Sequence, residues 1–304
     1  MKKEKLLLFD TNSIIHRAFH ALPPLKSKDG EPGGAVYGSL LAFFKIMDEI
    51  KPDYVAAVFY SPGKTFRHKK YKEYKANRPK AADELVSQII KTKKVFESMG
   101  VSVLIKSGLE ADDIIGAVSC HNFSDIETVI VTGDQDLLQL VNEKTNVYTL
   151  KRGVKEGALY DTSKVKEKYG GISPEKIVDI KALQGDASDN IPGVSGIGEK
   201  TAVKIIQEYE NIENLYDNLE KDSSLSPKMK ETLEKEKEMA FLSKELATIN
   251  KKDFSEFKIK EFSFDRGSKD IIDTLEDLGF ANLVKRFLKE EEEREEKRNL
   301  KLNL

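Results

Sequence analysis

The sequence is nearly without cysteine and has no long apolar run. Cys120 stands alone among 304 residues. Neither an intrachain disulfide nor a cysteine-rich zinc site can form, which suits a reducing cytosol. No stretch approaches the roughly eighteen apolar residues of a membrane span, so no membrane association is expected. The first ten residues carry three lysines and then Leu6–Phe9, a run too short for a signal-peptide core that ends on Asp10. Histidine is scarce. His16, His20, His68 and His121 lack metal-ligand spacing near acids and read as packing or surface residues. No Ser–His or Cys–His constellation fits a nucleophile. Net charge is also small, −2, and the total alone predicts no polyanionic partner. The distribution differs from the total. From Gly63 to Lys80 there are eight Lys or Arg residues against one acid, Glu73.

What is present is a soluble globular composition, 39% hydrophobic and 34% charged. The length suffices for one large domain or two modest ones. Short apolar runs at Leu6–Phe9, Tyr54–Phe59, Val101–Ile105 and Thr128–Thr132 predict buried strands, with another near Asn146–Leu150. Helical spacing over Ala35–Ile50, Asp83–Met99 and Asp112–His121 alternates with them. This pattern predicts an α/β fold with a mostly parallel central sheet flanked by helices. After about residue 160 helices dominate: Ser163–Tyr169, Pro174–Leu183, Lys200–Tyr209, Ser226–Ala247 and Asp270–Leu288. The boundaries implied are 1–160, 161–288 and a charged tail, 289–304, read as a solvated helix extension or frayed linker.

Ligands gather beyond the carboxyl ends of strands in open α/β sheets. The acids fall there. Asp10 ends the first strand; Glu110, Asp112 and Asp113 follow the third; Asp134 and Asp136 follow the fourth. Asp186 and Asp189 add a later pair. Asp134 and Asp136 share a face if the backbone is extended; Glu110 and Asp113, and Asp186 and Asp189, do so if helices begin there. Singly, each reads as a helix cap or loop residue. Together they would repel unless hard cations such as Mg²⁺ or Mn²⁺ bind. No twelve-residue calcium loop with its Gly and terminal Glu is present. Two such ions can activate water and stabilise the leaving oxygen in phosphodiester hydrolysis.

Two further stretches suit a polyanion. Gly193, Gly196 and Gly198, followed by Glu199, Lys200 and Thr201, form a helix-hairpin-helix signature whose second helix can face phosphate. It follows a helix, so it is not a dinucleotide fingerprint. A monovalent cation such as K⁺ is compatible with such a hairpin. The basic stretch interleaves Lys64, Lys69 and Lys70 with Phe66, Tyr71 and Tyr74, offering charge to phosphates and rings to unpaired bases.

These residues resemble the 5′–3′ exonuclease domain of bacterial DNA polymerase I, within the flap endonuclease family. The matching pieces are Phe66-Arg67-His68 with Tyr74-Lys75, Glu110-Ala111-Asp112-Asp113, Thr132-Gly133-Asp134 with Asp136, Gly185-Asp186 with Ser188-Asp189-Asn190-Ile191-Pro192-Gly193, and Gly196 through Ala202. The likeness runs from about Leu6 to Leu288. It implies a PIN-like, resolvase-like domain with a basic helical arch at about 61–85, then a helical DNA-binding region. It implies one metal held through Asp10, Glu110, Asp112 and Asp113, and a second toward Asp134, Asp136, Asp186 and Asp189. Lys75 and Arg78 would grip the scissile phosphate or threaded strand, with Arg67 in support. The implied partners are DNA with a 5′ flap, nick or 5′ end, RNA-primed DNA, and a DNA polymerase. A monomer at the bacterial nucleoid is expected. No polymerase portion follows, which fits a free-standing paralogue or an excised domain.

One position departs from the family. Tyr60 follows the second strand where the family has Asp. Asp53 lies at the strand's other end and does not substitute. An uncharged phenol is a poor Mg²⁺ ligand, so slow cutting or an unusual metal requirement is expected. A branched-DNA-binding homologue with little catalysis is the alternative. A small PIN-like ribonuclease fits the acids but not the hairpin or the length.

Overall fold

The computed structural model describes residues 3–121, 123, 125–150, 156–221, 224–252 and 256–302, with side chains at 290 and beyond 292 outside that description. Strands β1 (Glu4–Asp10), β2 (Tyr54–Val58), β3 (Ser102–Leu104), β4 (Ile126–Thr132), β5 (Thr145–Leu150) and β6 (Gly157–Tyr160) form one sheet in the order β3-β2-β1-β4-β5-β6. Every pairing is parallel except β5 with β6. The parallel α/β sheet is as expected. The antiparallel edge β6 was not; four residues carry too little pattern to mark a strand.

The sheet is covered on both faces. In β1, Leu6 and Leu8 enter one core while Leu7 and Phe9 enter the other, which is the two-residue alternation of a strand buried on both sides. Helices α1 (Thr11–Ala21), α2 (Gly34–Ile50) and α4 (Asp83–Ser98) cover the Leu7–Phe9 face; a short α3 (Phe66–Lys70) lies between α2 and α4 in the chain. Helix α5 (Ala111–Cys120) covers the other face. The expected helices hold to within two residues, and α1 is an addition. Its buried Ile14, Ile15 and Ala18 are interrupted by polar Asn12, His16 and Arg17, which obscured the pattern.

The helical portion comprises α6 (Thr162–Lys168), α7 (Ile177–Gln184), α8 (Glu199–Tyr209), α9 (Ile212–Asn218), α10 (Pro227–Lys235), α11 (Lys237–Ala247), α12 (Lys269–Asp277) and α13 (Ala281–Leu302). Two expected helices are broken. Ser226–Ala247 divides at Glu236, whose carboxylate accepts from Ser195 N. Asp270–Leu288 divides at Gly279, held at φ +73°, a conformation most side chains avoid. Helices α12 and α13 return to the α/β half, where Ile271, Leu275, Phe280 and Phe287 join the Leu7–Phe9 core. The backbone of the charged tail continues α13 to Leu302; residues 303 and 304 lie outside the described residues.

Phe43 is the hub of that core. Its ring meets Phe9, Phe44, Phe96 and Phe264 at centroid distances of 5.0 to 5.8 Å. Phe43→Ala is expected to cost about 3–5 kcal/mol, measured as a lower urea midpoint at an unchanged m-value.

Candidate metal centre and nucleic-acid interface

The chain runs from β1 outward to β2 and β3, then crosses to β4 and outward again. The crevice between the carboxyl ends of β1 and β4 is therefore the switch point of the sheet, where ligands of such folds bind. Asp10 closes β1 there and is 3% exposed. Its Oδ1 accepts from Ser13 N at 3.4 Å, capping α1, and its Oδ2 accepts from the Thr132 hydroxyl at 2.6 Å, tying β1 to β4. Thr132 Oγ1 in turn accepts from Asp134 N at 2.8 Å. Cap and candidate ligand are thus the same residue. Asp136 N donates to Asp134 Oδ1 at 2.9 Å and opens a short 3-10 turn, so these two acids sit on a turn instead of an extended strand.

Glu110 is the N-cap of α5, paired reciprocally with Asp113. Its carboxylate takes Lys75 Nζ at 2.7 Å, the Tyr74 hydroxyl at 3.2 Å and the Thr65 hydroxyl at 3.3 Å. Asp186 and Asp189 do not open a helix. Asp186 and Ile191 exchange both backbone hydrogen bonds at 2.8 Å, and Asp186 Oδ1 accepts from Ser188 N at 2.8 Å. The turn closes so tightly that a Cβ on Gly193 would stand 2.3 Å from Gly185 N, so the close approach requires glycine.

Asp113 leaves the set of acids open to a cation. It is fully buried. Its Oδ1 accepts from Arg67 and Asn250 N, and its Oδ2 from Arg67 and Glu110 N, which fills both oxygens. Arg67 is equally committed. It is 2% exposed, forks onto Asp113 at 2.8 and 2.9 Å, and donates to the carbonyls of Leu246 and Thr248 at the end of α11. It is a buried strut, not a hand for phosphate. Tyr74 is likewise buried, not a ring presented to bases. It is 3% exposed, with its hydroxyl 3.0 Å from Asp189 Oδ2, and offers no ring for stacking.

The arch is fastened to the later acids. Lys75 N donates to the Asp189 carbonyl at 2.9 Å, Asn77 to the Ala187 carbonyl at 2.7 Å, and Asn190 to the Glu73 carbonyl at 2.6 Å. Arg78 pairs with Asp189, and Lys75 Nζ lies 3.5 Å from Asp189 Oδ2. Lys64 and Lys69 are exposed; Lys70 pairs with Glu245 on α11, and Tyr71 packs at half exposure beside Tyr74. In the hairpin, nothing stands within 4 Å of where a Cβ would lie on Gly196 or Gly198, and Gly198 caps α8 with Lys200 and Thr201 in its first turn. That end is open to a phosphate.

Tyr60 stands beyond β2, 38% exposed. Asn12 Oδ1 accepts from its backbone N at 2.7 Å, and its hydroxyl donates to the Gly63 carbonyl at 3.3 Å. Asn12 is two residues from Asp10, so the backbone of Tyr60 lies at the carboxyl edge of the sheet, with its hydroxyl turned to Gly63. Asp53 accepts from Lys5 N at the opposite end of the strand.

Burial and repulsion disturb the uncompensated acids. Burial, with Asp134 nearby, pushes the Asp10 carboxyl up to about 6. Burial together with Asp134 and Asp10 holds Asp112 well above the usual range. Burial and Asp134 raise Asp136 to about 7 against the pull of Lys181. Burial would also raise Asp186, but Lys181 and Ser188 bring it down to about 2. Lys181 was not singled out in the sequence. Its Nζ lies 2.7 Å from Asp136 Oδ1 and also pairs with Asp186. As arranged, no three His, Cys, Asp or Glu side chains among the described residues enclose an ion position. Protein cations stand between the carboxylates instead. The donors are all oxygens, which fits hard divalent cations.

Comparison with known proteins adds to this geometry. Residues 5–170 match the family model of the 5′–3′ exonuclease N-terminal resolvase-like domain, and residues 172–270 that of the 5′–3′ exonuclease C-terminal SAM fold. The chain is 37% identical over 301 residues to DNA polymerase I of Bacillus subtilis, covering 98% of this chain and 34% of that protein. It is 40% identical over 292 residues to DNA polymerase I of Caldicellulosiruptor bescii, covering 93% and 33%. The chain thus spans about a third of the length of these relatives. The fold is similar to that of the bacteriophage T5 D15 flap endonuclease in a complex with DNA and metal ions, with a TM-score of 0.65 at 18% identity over 94% of this chain and 97% of that one.

The raised carboxyls set a pH dependence. An unfolded Asp loses its proton near pH 4, whereas Asp10 and Asp136 hold theirs to about 6 and 7. Between these limits the folded state binds more protons, so these groups lower stability as pH rises through that window. His16 works in the opposite sense, because burial lowers its pKa. Asp10→Asn removes one contribution and leaves His16 intact. In EDTA at pH 7.5 it is expected to melt roughly 2–6 °C above the parent, with the gap closing by pH 4.

Proposed function

Because the chain belongs to the 5′–3′ exonuclease family, we propose that it is a metal-dependent 5′–3′ exonuclease and flap endonuclease, cutting DNA and RNA primers in replication and repair. The observation that carries this reading is the convergence, at one switch point, of carboxylates from the ends of β1 and β4, the start of α5 and the loop after α7, under an arch bearing Lys75 and Arg78. Two Mg²⁺ or Mn²⁺ ions would be held by Asp10, Glu110 and Asp112, and by Asp134, Asp136, Asp186 and Asp189. When bound, they supply an activated water and neutralise the leaving oxygen.

The chain's own residues do the rest. Asp113 and Arg67 hold α5 and the arch base in register, so that Glu110 faces the crevice. Lys75 and Arg78 would turn from their carboxylates to a substrate phosphate. Lys64 and Lys69, both exposed, would attract the 5′ strand. Gly196, Gly198, Lys200 and Thr201 would bind duplex backbone without reading sequence, with K⁺ as a further ligand of the hairpin. The substrates are 5′ flaps, nicks, 5′ ends and RNA-primed DNA. The chain would act as a monomer beside a DNA polymerase at the bacterial nucleoid. Among the described residues no helix is long and apolar enough to cross a membrane.

Tyr60 supports a second reading, a flap-binding homologue with weak catalysis, because the phenol stands exposed where an acid belongs. One assay separates the two. A 5′-flap duplex is bound in Ca²⁺, then Mg²⁺ is added, for the parent and Tyr60→Asp. Cleavage is expected from both, with Tyr60→Asp about 10–100-fold faster at limiting Mg²⁺. Binding without cleavage by either protein contradicts the nuclease reading. Equal rates at every Mg²⁺ and Mn²⁺ concentration contradict the role given to Tyr60.

A further inference from the structure

Lys181 is placed unlike the other cations of the site. Lys75 and Arg78 belong to the turns of the arch, outside any helix. Lys181 belongs to the last turn of α7, whose Ile177, Ile180, Ala182 and Leu183 are locked in the core with α8 and α9. The negative end of a helix favours a cation in that turn. Its ammonium touches two carboxylates from separate segments, Asp136 after β4 and Asp186 after α7. No other partner of its ammonium is found among the described residues. Asp134 hydrogen-bonds Asp136 N on the same turn. Lys168, bonded to Gln135, and Glu199 face the same corner from α6 and α8.

The other oxygen of Asp186 is taken by Ser188, so a divalent ion bound by both Asp136 and Asp186 would have to use the Asp186 oxygen that the ammonium now contacts. Two cations so close repel strongly in a poorly hydrated site. Resting on the two-ion reading above, we propose that Lys181 is a built-in counter-cation for the second ion position, so that the second ion enters only by displacing it. The ammonium keeps the Asp136–Asp186 pair neutralised when metal is scarce. At the first position, Glu110 carries Lys75 at 2.7 Å and Arg67 at 3.8 Å, but among the described residues no side-chain cation bridges two of Asp10, Glu110 and Asp112. Loading is therefore ordered. The first ion binds at lower concentration, and the second binds when the ion concentration suffices to move Lys181. Lys181 is a positioning residue here and takes no part in the bond-breaking step.

The test is a Mn²⁺ titration of the full chain without DNA, by calorimetry at pH 8, for the parent, Lys181→Met and Lys181→Arg. The parent is expected to bind two ions in a tighter and a weaker class. Lys181→Met should tighten the weaker class by about tenfold and leave the tighter class unchanged. Lys181→Arg, which keeps the charge, should remain as weak as the parent. A weaker class that is unchanged or further weakened in Lys181→Met overturns the proposal, because a supporting residue would give that result. Fewer than two ions bound by the parent instead overturns the two-ion reading itself. A second readout needs no variant. Acylation of Lys181 by an N-hydroxysuccinimide ester, followed by peptide mass spectrometry, should be slow without metal and rise on adding Mg²⁺. Labelling that does not rise, in protein that binds both ions, overturns the displacement.

Discussion

Repulsion among Asp10, Asp112, Asp134 and Asp136, gathered in a poorly hydrated crevice, is the force that the surrounding structure offsets. Two of these carboxyls are pushed up to about 6 and 7, far above an ordinary Asp. A chain selected for stability alone would not assemble them. The fold holds them by distributing the load. Thr132 and the α1 N-terminus bind Asp10, Lys181 reaches Asp136 from α7, and the charge of Lys75, paired with Glu110, acts on Asp112 from the arch. Each is a local compensation for a buried charge.

The buried Arg67–Asp113 pair makes this possible mechanically. Its members come from α3 and α5, and its remaining bonds go to the end of α11. Arch, sheet and helical portion therefore meet at one ion pair. A buried pair of this kind adds little net stability, but losing one partner strands the other charge at a cost of about 3–5 kcal/mol. What it supplies is register. Glu110, the N-cap of α5, faces Lys75 because Asp113 three residues on is held from below.

Much of this was legible in the sequence, and the misses share a cause. The parallel sheet followed from short apolar runs, and the row of acids from their places at strand ends. Periodicity reports burial within one segment. It says nothing about partners brought together by the fold. Hence Asp113 read as a metal ligand and Arg67 as a support for the phosphate grip, although they consume each other. Tyr74 read as a stacking ring because it lies in a basic stretch, yet it is buried against Glu110 and Asp189. Lys181 lies in an ordinary amphipathic helix, and only the meeting of two loops gives it meaning. Tyr60 was the reverse case. A single residue out of pattern was plain from the sequence, and the structure adds that its phenol is exposed and tethered to Gly63.

On the proposed function, the acidic crevice takes divalent cations and is more than a structural ion-pair network. Anomalous diffraction from crystals soaked in Mn²⁺ tests it most directly. Two peaks are expected, one against Asp10, Glu110 and Asp112, the other against Asp136 and Asp186 with the Lys181 ammonium moved off both carboxylates. Crystals that take up no Mn²⁺ in the crevice, with the lysine–carboxylate contacts intact, would contradict it.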